Sequence, residues 1–354
     1  MPTTPGPRSH LALCSAILLL LSLSARAAEN ETQASAQESV PLEVFIGPKI
    51  KRGLPPKYPG DQRRLGNEGW VQLSMMIDPS GKPYEISVSD STGNPVLNAL
   101  AVKAAAHWTF EPARLNGVPV DSSYTGKVTF TITEGDRGAT NAFIEAYGRS
   151  MDAIEAADRA AADAAMTRMK ATNLYEDAYL NLTRFRYFVL WGTKAEQIEA
   201  LKRAIAHEGT WTYLPKKTFV DALVALMALN LEVNDFAEVL DAWGKLQNAQ
   251  LDEHTAAQWR PIIADLEAMK TDGRTYRVAG ALRNATSWHF KLHKNKFSID
   301  VASGRVSEVR LRCKMKYVFF RFDPALQYTI DDRFGPCEME LVGEPGTEFL
   351  LTQS

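Results

Sequence analysis

The chain has 354 residues, 45% of them hydrophobic, and a formal net charge of -2 at pH 7. This length and composition predict a folded protein with more than one domain. The charge is nearly balanced, and the basic clusters at residues 49–52 and 310–316 are short. Because nucleic-acid binding normally needs an extended basic surface, we expect no nucleic-acid partner.

Residues 1–28 have the features of an export signal. Arg8 supplies a positive charge, residues 11–23 are a mostly aliphatic run, and the small residues Ala25 and Ala27 suit signal peptidase. An apolar run of roughly 13 residues is shorter than the about 20 that cross a bilayer as a helix. We therefore expect cleavage and a periplasmic protein. The alternative is an uncleaved inner-membrane anchor, and only then do we expect contact with the membrane.

The next segments predict a leader followed by a hairpin. Residues 29–47 are rich in Glu, Gln, Ser, Thr and Ala, which predicts a flexible leader. Prolines then keep residues 53–60 extended. Over residues 70–78 apolar side chains alternate with mixed ones, so we predict a strand with one apolar face. A turn that uses the conformational freedom of Gly81 leads to a second strand at residues 84–90.

A helix and a third strand complete this first unit. Asn94 is suited to cap the helix and Pro95 to occupy its first position. After a turn at residues 116–117, alternation over residues 123–133 predicts the third strand. The unit predicted for residues 48–135 is therefore strand, strand, helix, strand. The helix face expected to pack on the sheet consists of Leu97, Leu100, Ala101, Ala104 and Trp108.

Residues 138–272 are rich in Ala, Leu, Glu, Asp and Lys and contain almost no proline or glycine, which predicts helices. Consecutive apolar segments at residues 217–231 and 235–249 predict antiparallel helical hairpins. Tetratricopeptide-like repeats use this arrangement, but their full sequence pattern is absent, so a true repeat array is an alternative. The breaks between helices are predicted near residues 172–173, 192–193, 209–215, 230–234 and 251–252.

Residues 275–354 contain short β-like runs separated by turn signals, which predicts a small antiparallel β domain. Removal of the signal would remove Cys14 and leave Cys313 and Cys337, an even pair in an oxidising compartment. We predict that these two cysteines form a disulfide. A metal pair or a reactive thiol would be the alternative, but no further ligand has suitable spacing nearby. The whole chain is thus predicted to be an α+β multidomain protein.

The first unit, at about residues 50–135, resembles the C-terminal domain of the TonB family. No single matching residue is specific for this family, but the order in which they occur together along the chain is. The resemblance covers less than a quarter of the chain. The matching residues are Tyr58, Pro59, Glu68, Gly69, Trp70, Val71, Asp78, Gly81, Lys82, Ser91, Gly93, Asn94, Pro95, Leu97, Ala101, Trp108, Phe110, Pro112 and Gly117, followed by the alternating strand.

The resemblance implies where a partner would bind. In this family the sheet has an exposed edge that takes up a short extended peptide from an outer-membrane transporter as an added strand, and main-chain hydrogen bonds give the affinity. The implied partner is such a transporter segment or another envelope protein. The implied binding residues are Pro55, Lys57, Tyr58, Pro59, Val128, Thr129, Phe130, Thr131 and Ile132.

The chain departs from the family in ways that leave three functions open. Energy transducers of the family carry a membrane anchor and a long proline-rich rod, whereas the leader here, at residues 29–47, is short and has few prolines. Pro55 and Gln62 also differ from the residues frequent in the family. We expect an exported periplasmic binding protein. The alternatives are a membrane-anchored energy-transducing component and a structural scaffold without a ligand on the TonB-like domain.

The sequence contains no recognisable catalytic motif. It lacks a phosphate-binding glycine loop, a Gly-x-Ser-x-Gly elbow and a His-Glu-x-x-His helix. His289 and His293 would share one face of a strand, but no carboxylate or cysteine has a ligand spacing to them, so we interpret them as a surface pair. Asp331 and Asp332 are interpreted as solvated charges in a turn. We expect no enzymatic activity, no cofactor and no metal.

Overall fold

The computed structural model describes residues 45–64, 67–132, 138–206, 213–249, 251–283 and 285–354. The predicted signal peptide and residues 29–44 of the predicted leader lie outside the described residues, as does Thr133, the last residue of the predicted third strand. Within the described ranges, no helix combines the length and the hydrophobicity needed to cross a membrane.

Residues 45–132 are built around a three-stranded antiparallel sheet with β3 at its centre, β4 on one side and β8 on the other. We call these three strands the N-terminal sheet. The strands of this region are β1 (Phe45–Ile46), β2 (Lys49–Arg52), β3 (Gly69–Ile77), β4 (Pro83–Ser91), β5 (Thr109–Glu111), β6 (Ala113–Leu115), β7 (Val118–Val120) and β8 (Ser122–Phe130), and its helices are α1 (Gly60–Arg64) and α2 (Pro95–Ala105).

The predicted alternation along β3 is confirmed by its packing. Its odd-numbered apolar side chains form a buried cluster with α2 and β8, and all of them are fully buried. Asn94 caps α2 by accepting hydrogen bonds from the N–H groups of Val96 and Leu97 at 3.0 and 3.4 Å, and Pro95 follows it, as predicted. The members of this cluster include Val71, Leu73, Met75, Ile77, Leu97, Ala101, Val128 and Phe130.

A short ribbon that the sequence did not predict lies beside the N-terminal sheet. β1 pairs with β6 and β2 pairs with β5, so the chain is already in strands at residues 45–52. The predicted leader boundary at residue 47 therefore falls inside this ribbon. The predicted turn at residues 116–117 joins β6 to β7, with positive φ angles of 51° and 82°.

The middle of the chain is helical. Helices adjacent in sequence pack in pairs, α3 with α4, α5 with α6 and α7 with α8, and short turns join the members of each pair. Ala157 and Asn234 take positive φ angles of 53° and 61° in two of these turns. The helices are α3 (Asn141–Glu155), α4 (Arg159–Arg168), α5 (Leu174–Trp191), α6 (Lys194–Ala204), α7 (Lys216–Glu232), α8 (Phe236–Asn248) and α9 (Glu253–Met269).

The last part of the chain forms two four-stranded antiparallel sheets, in the orders β10-β15-β12-β13 and β14-β11-β16-β9. Cys313 and Cys337 lie directly opposite each other on β12 and β15 and form the predicted disulfide. The strands are β9 (Tyr276–Leu282), β10 (Ser287–Lys291), β11 (Lys296–Ser303), β12 (Val306–Cys313), β13 (Tyr317–Arg321), β14 (Tyr328–Thr329), β15 (Cys337–Gly343) and β16 (Thr347–Gln353).

The helices and these two sheets share one hydrophobic cluster. It contains fully buried side chains from helices, such as Leu223 and Met227, together with Phe297 and Leu341 from strands. The rings of Phe236 and Tyr276, for example, lie 4.5 Å apart. Burial of apolar area of this kind is the main stabilising term in folding, so the helices and the two sheets support each other.

Candidate binding site at a strand edge

β8 is an outer strand of the N-terminal sheet, and the direction of its main-chain groups follows from one contact. The N–H of Ser123 donates to the carbonyl oxygen of Lys314 at 3.3 Å, so it points away from β3. In a regular antiparallel strand, residues two apart direct their N–H and C=O groups to the same side. Because the β3–β8 register is unbroken, Thr125 and Thr129 also direct their main-chain groups to the outer side of β8. In the described part of the chain, no strand pairs with that side.

The outer edge of β8 is bounded at one end and contacted near its middle. The loop after β12 covers its beginning, through the bond between Ser123 and Lys314. Further along, the ammonium group of Lys127 donates to the carbonyl oxygen of Ala206, and it also lies 5.2 Å from the ring centre of Trp70. The stretch that an added strand could reach therefore runs from Thr125 to the end of β8.

The predicted binding residues at residues 128–132 divide into three groups in the structure. The side chains of Val128 and Phe130 belong to the buried cluster, with exposures of 6% and 3%. Thr129 and Thr131 are exposed. Ile132 lies beyond the strand, which ends at Phe130 and not at residue 133 as predicted. The strand ends early because the chain turns towards Glu68.

Glu68 holds the chain just after β8. Its carboxylate accepts a hydrogen bond from the N–H of Ile132 at 2.9 Å and another from the N–H of Leu174 at 3.3 Å. Its own N–H donates to the carbonyl oxygen of Thr172 at 3.1 Å. One glutamate thus joins β3, the end of β8 and the start of α5. The sequence placed Glu68 in the family pattern but gave no sign of this role.

The other predicted binding segment, residues 55–59, lies against the end of β8. The ring centres of Tyr58 and Phe130 are 5.8 Å apart, and the Tyr58 hydroxyl donates to the carbonyl oxygen of Asn67. Pro55 and Lys57 are exposed, while Pro59 is half-buried. The structure therefore brings the two predicted segments together at Tyr58 and Phe130.

On the second face of the N-terminal sheet most side chains of β3 are buried, whereas those of Thr125, Lys127 and Thr129 on β8 are exposed. Trp70 on this face is 1% exposed, and the Ser74 hydroxyl donates to the carboxylate of Glu338 on β15 at 3.0 Å. Burial favours the neutral carboxyl of Glu338, but hydrogen bonds from His289 and Ser74 outweigh it and lower its pKa. The face predicted to be mixed thus packs against the C-terminal sheets.

Arg312 also joins the N-terminal sheet to the C-terminal sheets. Its guanidinium donates to the carboxylate of Glu340 at 2.6 Å and to the carbonyl oxygen of Glu85 at 3.3 Å. Both charged side chains are buried, with exposures of 1% and 7%. Glu85 has a positive φ of 48°, a strained conformation for a residue other than glycine. The Arg312 hydrogen bond holds this distorted point of β4.

A polar cavity of about 320 Å³ lies over the same face of the N-terminal sheet. Glu238 is 3.3 Å from Lys202 and 3.1 Å from Lys291. Burial favours the neutral form of Glu238, but these two ammonium groups outweigh it and lower its pKa to about 2. Burial and the charge of Glu238 raise the pKa of Asp235 to about 7. The sequence could not predict this cluster, because its members come from α6, α8 and β10.

The two histidines predicted to share a strand face are separated. His289 lies on β10 and bonds the carboxylate of Glu338 at 3.1 Å. β10 ends at Lys291, so His293 lies beyond the strand, where its ring contacts the carbonyl oxygen of Leu266 at 2.9 Å. Among the residues that the structure describes, no three His, Cys, Asp or Glu side chains are grouped to hold a metal.

Two strands, a helix and a final strand with an open outer edge define a small α+β domain. A sequence profile of the Gram-negative bacterial TonB protein C-terminal region matches residues 55–132. Residues 55–132 therefore form a TonB C-terminal domain, and the predicted resemblance is confirmed.

The similar proteins match a quarter of this chain or less. Protein tonB2 of Pseudomonas aeruginosa is 44% identical over 59 residues, which are 17% of this chain and 22% of that protein. Protein TonB of Vibrio cholerae serotype O1 is 32% identical over 82 residues, 23% of this chain and 34% of that protein. The chain thus spans only 22% and 34% of the length of these curated relatives. A solution NMR structure of Pseudomonas aeruginosa TonB CTD is 29% identical, covers 25% of this chain and 89% of its own, and has a TM-score of 0.22.

Proposed function

We propose that the TonB C-terminal domain of this chain takes up an extended peptide or protein segment as an added strand on the outer edge of β8. The observation that supports this proposal is the open edge itself. The main-chain groups of Thr125 and Thr129 point to a side of β8 with which no strand pairs in the described ranges. This role requires no catalysis.

The chemistry of such an edge suits an extended backbone of varied sequence. Each added main-chain hydrogen bond contributes a net ~1 kcal/mol, so a few bonds alone give weak binding. Side chains at alternate positions of the added strand would supply the remaining affinity and the specificity. Tyr58 lies beside Phe130 at the far end of β8, and in this proposal it contacts such side chains together with Pro55 and Lys57, which precede it in the chain.

The proposed partner is a segment of an outer-membrane transporter or of another envelope protein, by analogy with TonB proteins. In this proposal the signal is cleaved and the protein acts in the periplasm. A membrane-anchored, energy-transducing component of a TonB-type transport system is the alternative, and the match to TonB proteins fits it equally. N-terminal sequencing of the mature protein distinguishes them, because a start near Ala28 is compatible only with the exported form.

A structural role is the second candidate, and a specific observation favours it. The second face of the N-terminal sheet is already covered along β3, since Ser74 bonds Glu338 on β15, and Arg312 on β12 bonds the carbonyl oxygen of Glu85 on β4. If the role is structural, residues 48–135 cover part of the rest of the chain and bind no ligand of their own. We further propose a division into this domain, tetratricopeptide-like helical hairpins at residues 138–272 and a small β domain at residues 275–354.

Pull-down from an envelope extract with two Thr129 variants tests the binding role. Thr129→Pro removes an outward N–H and places a ring on the edge, whereas Thr129→Ala keeps the main-chain edge and is the matched control. We expect the wild type and Thr129→Ala to retain the same envelope protein and Thr129→Pro to lose it. Equal retention by all three proteins would contradict pairing at β8, and a folded chain that retains nothing would favour the structural role.

A further inference from the structure

A groove of about 1000 Å³ opens beside the beginning of β8. From the N-terminal sheet it is lined only by Ser123 and Thr125, and by no residue of β3 or β4. The groove therefore lies beyond the outer edge of β8 and not beneath the sheet. Its other walls come from the helical region and from the C-terminal strands, which have no counterpart in the matched residues 55–132.

An added strand on β8 would lead into this groove. The bond between Ser123 and Lys314 ends the available edge, so pairing along β8 stops at about Thr125. Pairing from Thr129 to Thr125 covers about 13 Å at 3.3 Å per residue. A longer segment cannot continue along the strand and must leave the edge where the groove begins.

The groove favours an uncharged, apolar side chain. Leu240, Leu292 and Ile330 line it, and Leu292 and Ile330 are 8% and 7% exposed. Most of the charged side chains in its lining are already in ion pairs, such as Lys291 with Asp241, Lys294 with Asp272 and Arg312 with Glu340. A charged side chain of a ligand would lose hydration and compete with these pairs, whereas an aliphatic one would bury its own apolar surface against the three apolar residues.

We propose that this groove binds an aliphatic side chain at one end of the peptide segment that pairs with β8. The inference rests on the proposed function and deepens it, because it makes the helical and C-terminal regions part of the same binding site. The ligand is then an extended segment of about eight or more residues, with its paired part on β8 and an aliphatic residue beyond it.

Selection from a phage-displayed library of random twelve-residue peptides, with the full chain as bait, tests the proposal. Ala237 on α8 lines the groove, so Ala237→Trp would fill it. Gln247 is exposed on the same helix and does not line the groove, so Gln247→Trp is the matched control. We expect selected peptides to share an aliphatic residue at one end, and Ala237→Trp to weaken their binding at least tenfold while Gln247→Trp leaves it unchanged.

The outcomes separate this inference from the function on which it rests. If Thr129→Pro abolishes peptide binding but Ala237→Trp and Gln247→Trp bind equally well, the groove has no part in recognition and only the inference fails. If Thr129→Pro leaves peptide binding unchanged, the peptides do not use β8, and both the inference and the proposed function fail. Both also fail if the folded chain selects no peptide.

Discussion

At the scale of single residues, Gly81 shows how one position connects the first turn to the neighbouring ribbon. Its N–H donates to the carbonyl oxygen of Asp78 at 2.9 Å, and its own carbonyl oxygen accepts from the N–H of Phe110 at 2.8 Å. It has a positive φ of 84°. The sequence predicted the turn and its use of glycine, but not the contact with Phe110, because that residue belongs to a strand too short to recognise.

Gly81→Ala should therefore destabilise the protein strongly. A Cβ atom would overlap the carbonyl oxygen of Phe110, and the positive φ is also unfavourable for alanine. We expect a loss of about 3 kcal/mol in the free energy of unfolding, measured with urea. Gly117→Ala is the control, because Gly117 has a φ of 82° but no neighbour within 4 Å, and it should cost only about 1 kcal/mol. Equal losses would contradict the role of the Phe110 contact.

The buried pair of Arg312 and Glu340 gives a second prediction at this scale. Arg312→Met would leave the buried carboxylate of Glu340 without its 2.6 Å partner, and we expect a loss of about 3 kcal/mol in the free energy of unfolding. Arg310→Met is the control, since Arg310 is one-third exposed and bonds the same Glu340 carboxylate only at 3.4 Å, so its removal leaves the 2.6 Å pair intact. It should cost less than about 1 kcal/mol. Thermal or urea unfolding checks both variants, and similar losses would refute the importance of burial.

At the scale of elements, the strength of the local pattern decided what could be predicted. β3 has nine residues and a clear alternation, and α2 has a capping residue and a proline, so both were identified. β1 has two residues and β5 has three, which is too short for an alternation to appear. The sequence predicts the end of β8 at residue 133 because the alternation of side chains continues to that residue. In the structure β8 ends at Phe130, and the N–H of Ile132 bonds the carboxylate of Glu68 instead of another strand.

The direction of main-chain groups along β8 predicts that proline destabilises the protein to different extents at neighbouring positions. Thr129→Pro removes an N–H that points outward and should lower the free energy of unfolding by less than about 1 kcal/mol. Val128→Pro removes an N–H that pairs with β3 and should lower it by about 3 kcal/mol or more. Urea unfolding of both variants measures the difference. A larger loss for Thr129→Pro than for Val128→Pro would show that the N–H of Thr129, and not that of Val128, points towards β3.

At the scale of the whole molecule, contacts between distant segments set the position of the N-terminal sheet against the rest of the chain. Ser74 and Glu338 are 264 residues apart, and Arg312 and the Glu85 carbonyl are 227 apart. Such pairs depend on tertiary placement, and local sequence patterns carry no signal for them. The sequence could therefore identify the TonB C-terminal domain and the strand whose edge is open. It could not indicate that the rest of the chain covers one face of that domain and lines a groove beside it.

The charged cluster between helices and sheets predicts how global stability depends on pH. The carboxyl of Asp235 has a pKa raised from 3.8 to about 7, first by burial and then by Glu238. The folded state therefore binds this proton more tightly than the unfolded state, and the free energy of unfolding should fall as pH rises from about 4 to about 7.

Asp235→Asn removes this titration while keeping a residue that can cap α8. We expect the variant to be more stable than the wild type by up to ~4 kcal/mol at pH 8, because the pKa rises from 3.8 to about 7 on folding, and the difference to be much smaller at pH 4.5. Unfolding with urea at a series of pH values measures this. The same difference at both pH values would show that the pKa of Asp235 is not raised in the folded protein.

Amide NMR of the full chain, selectively labelled at threonine nitrogen and titrated with synthetic transporter-type peptides, tests the central claim most directly. If an extended segment pairs with β8, the amide signals of Thr125 and Thr129 will shift, and these two amides will exchange with solvent more slowly in the complex. Thr131, beyond the strand, should change less. Saturating peptide that leaves the Thr125 and Thr129 amides unchanged would contradict strand addition at this edge.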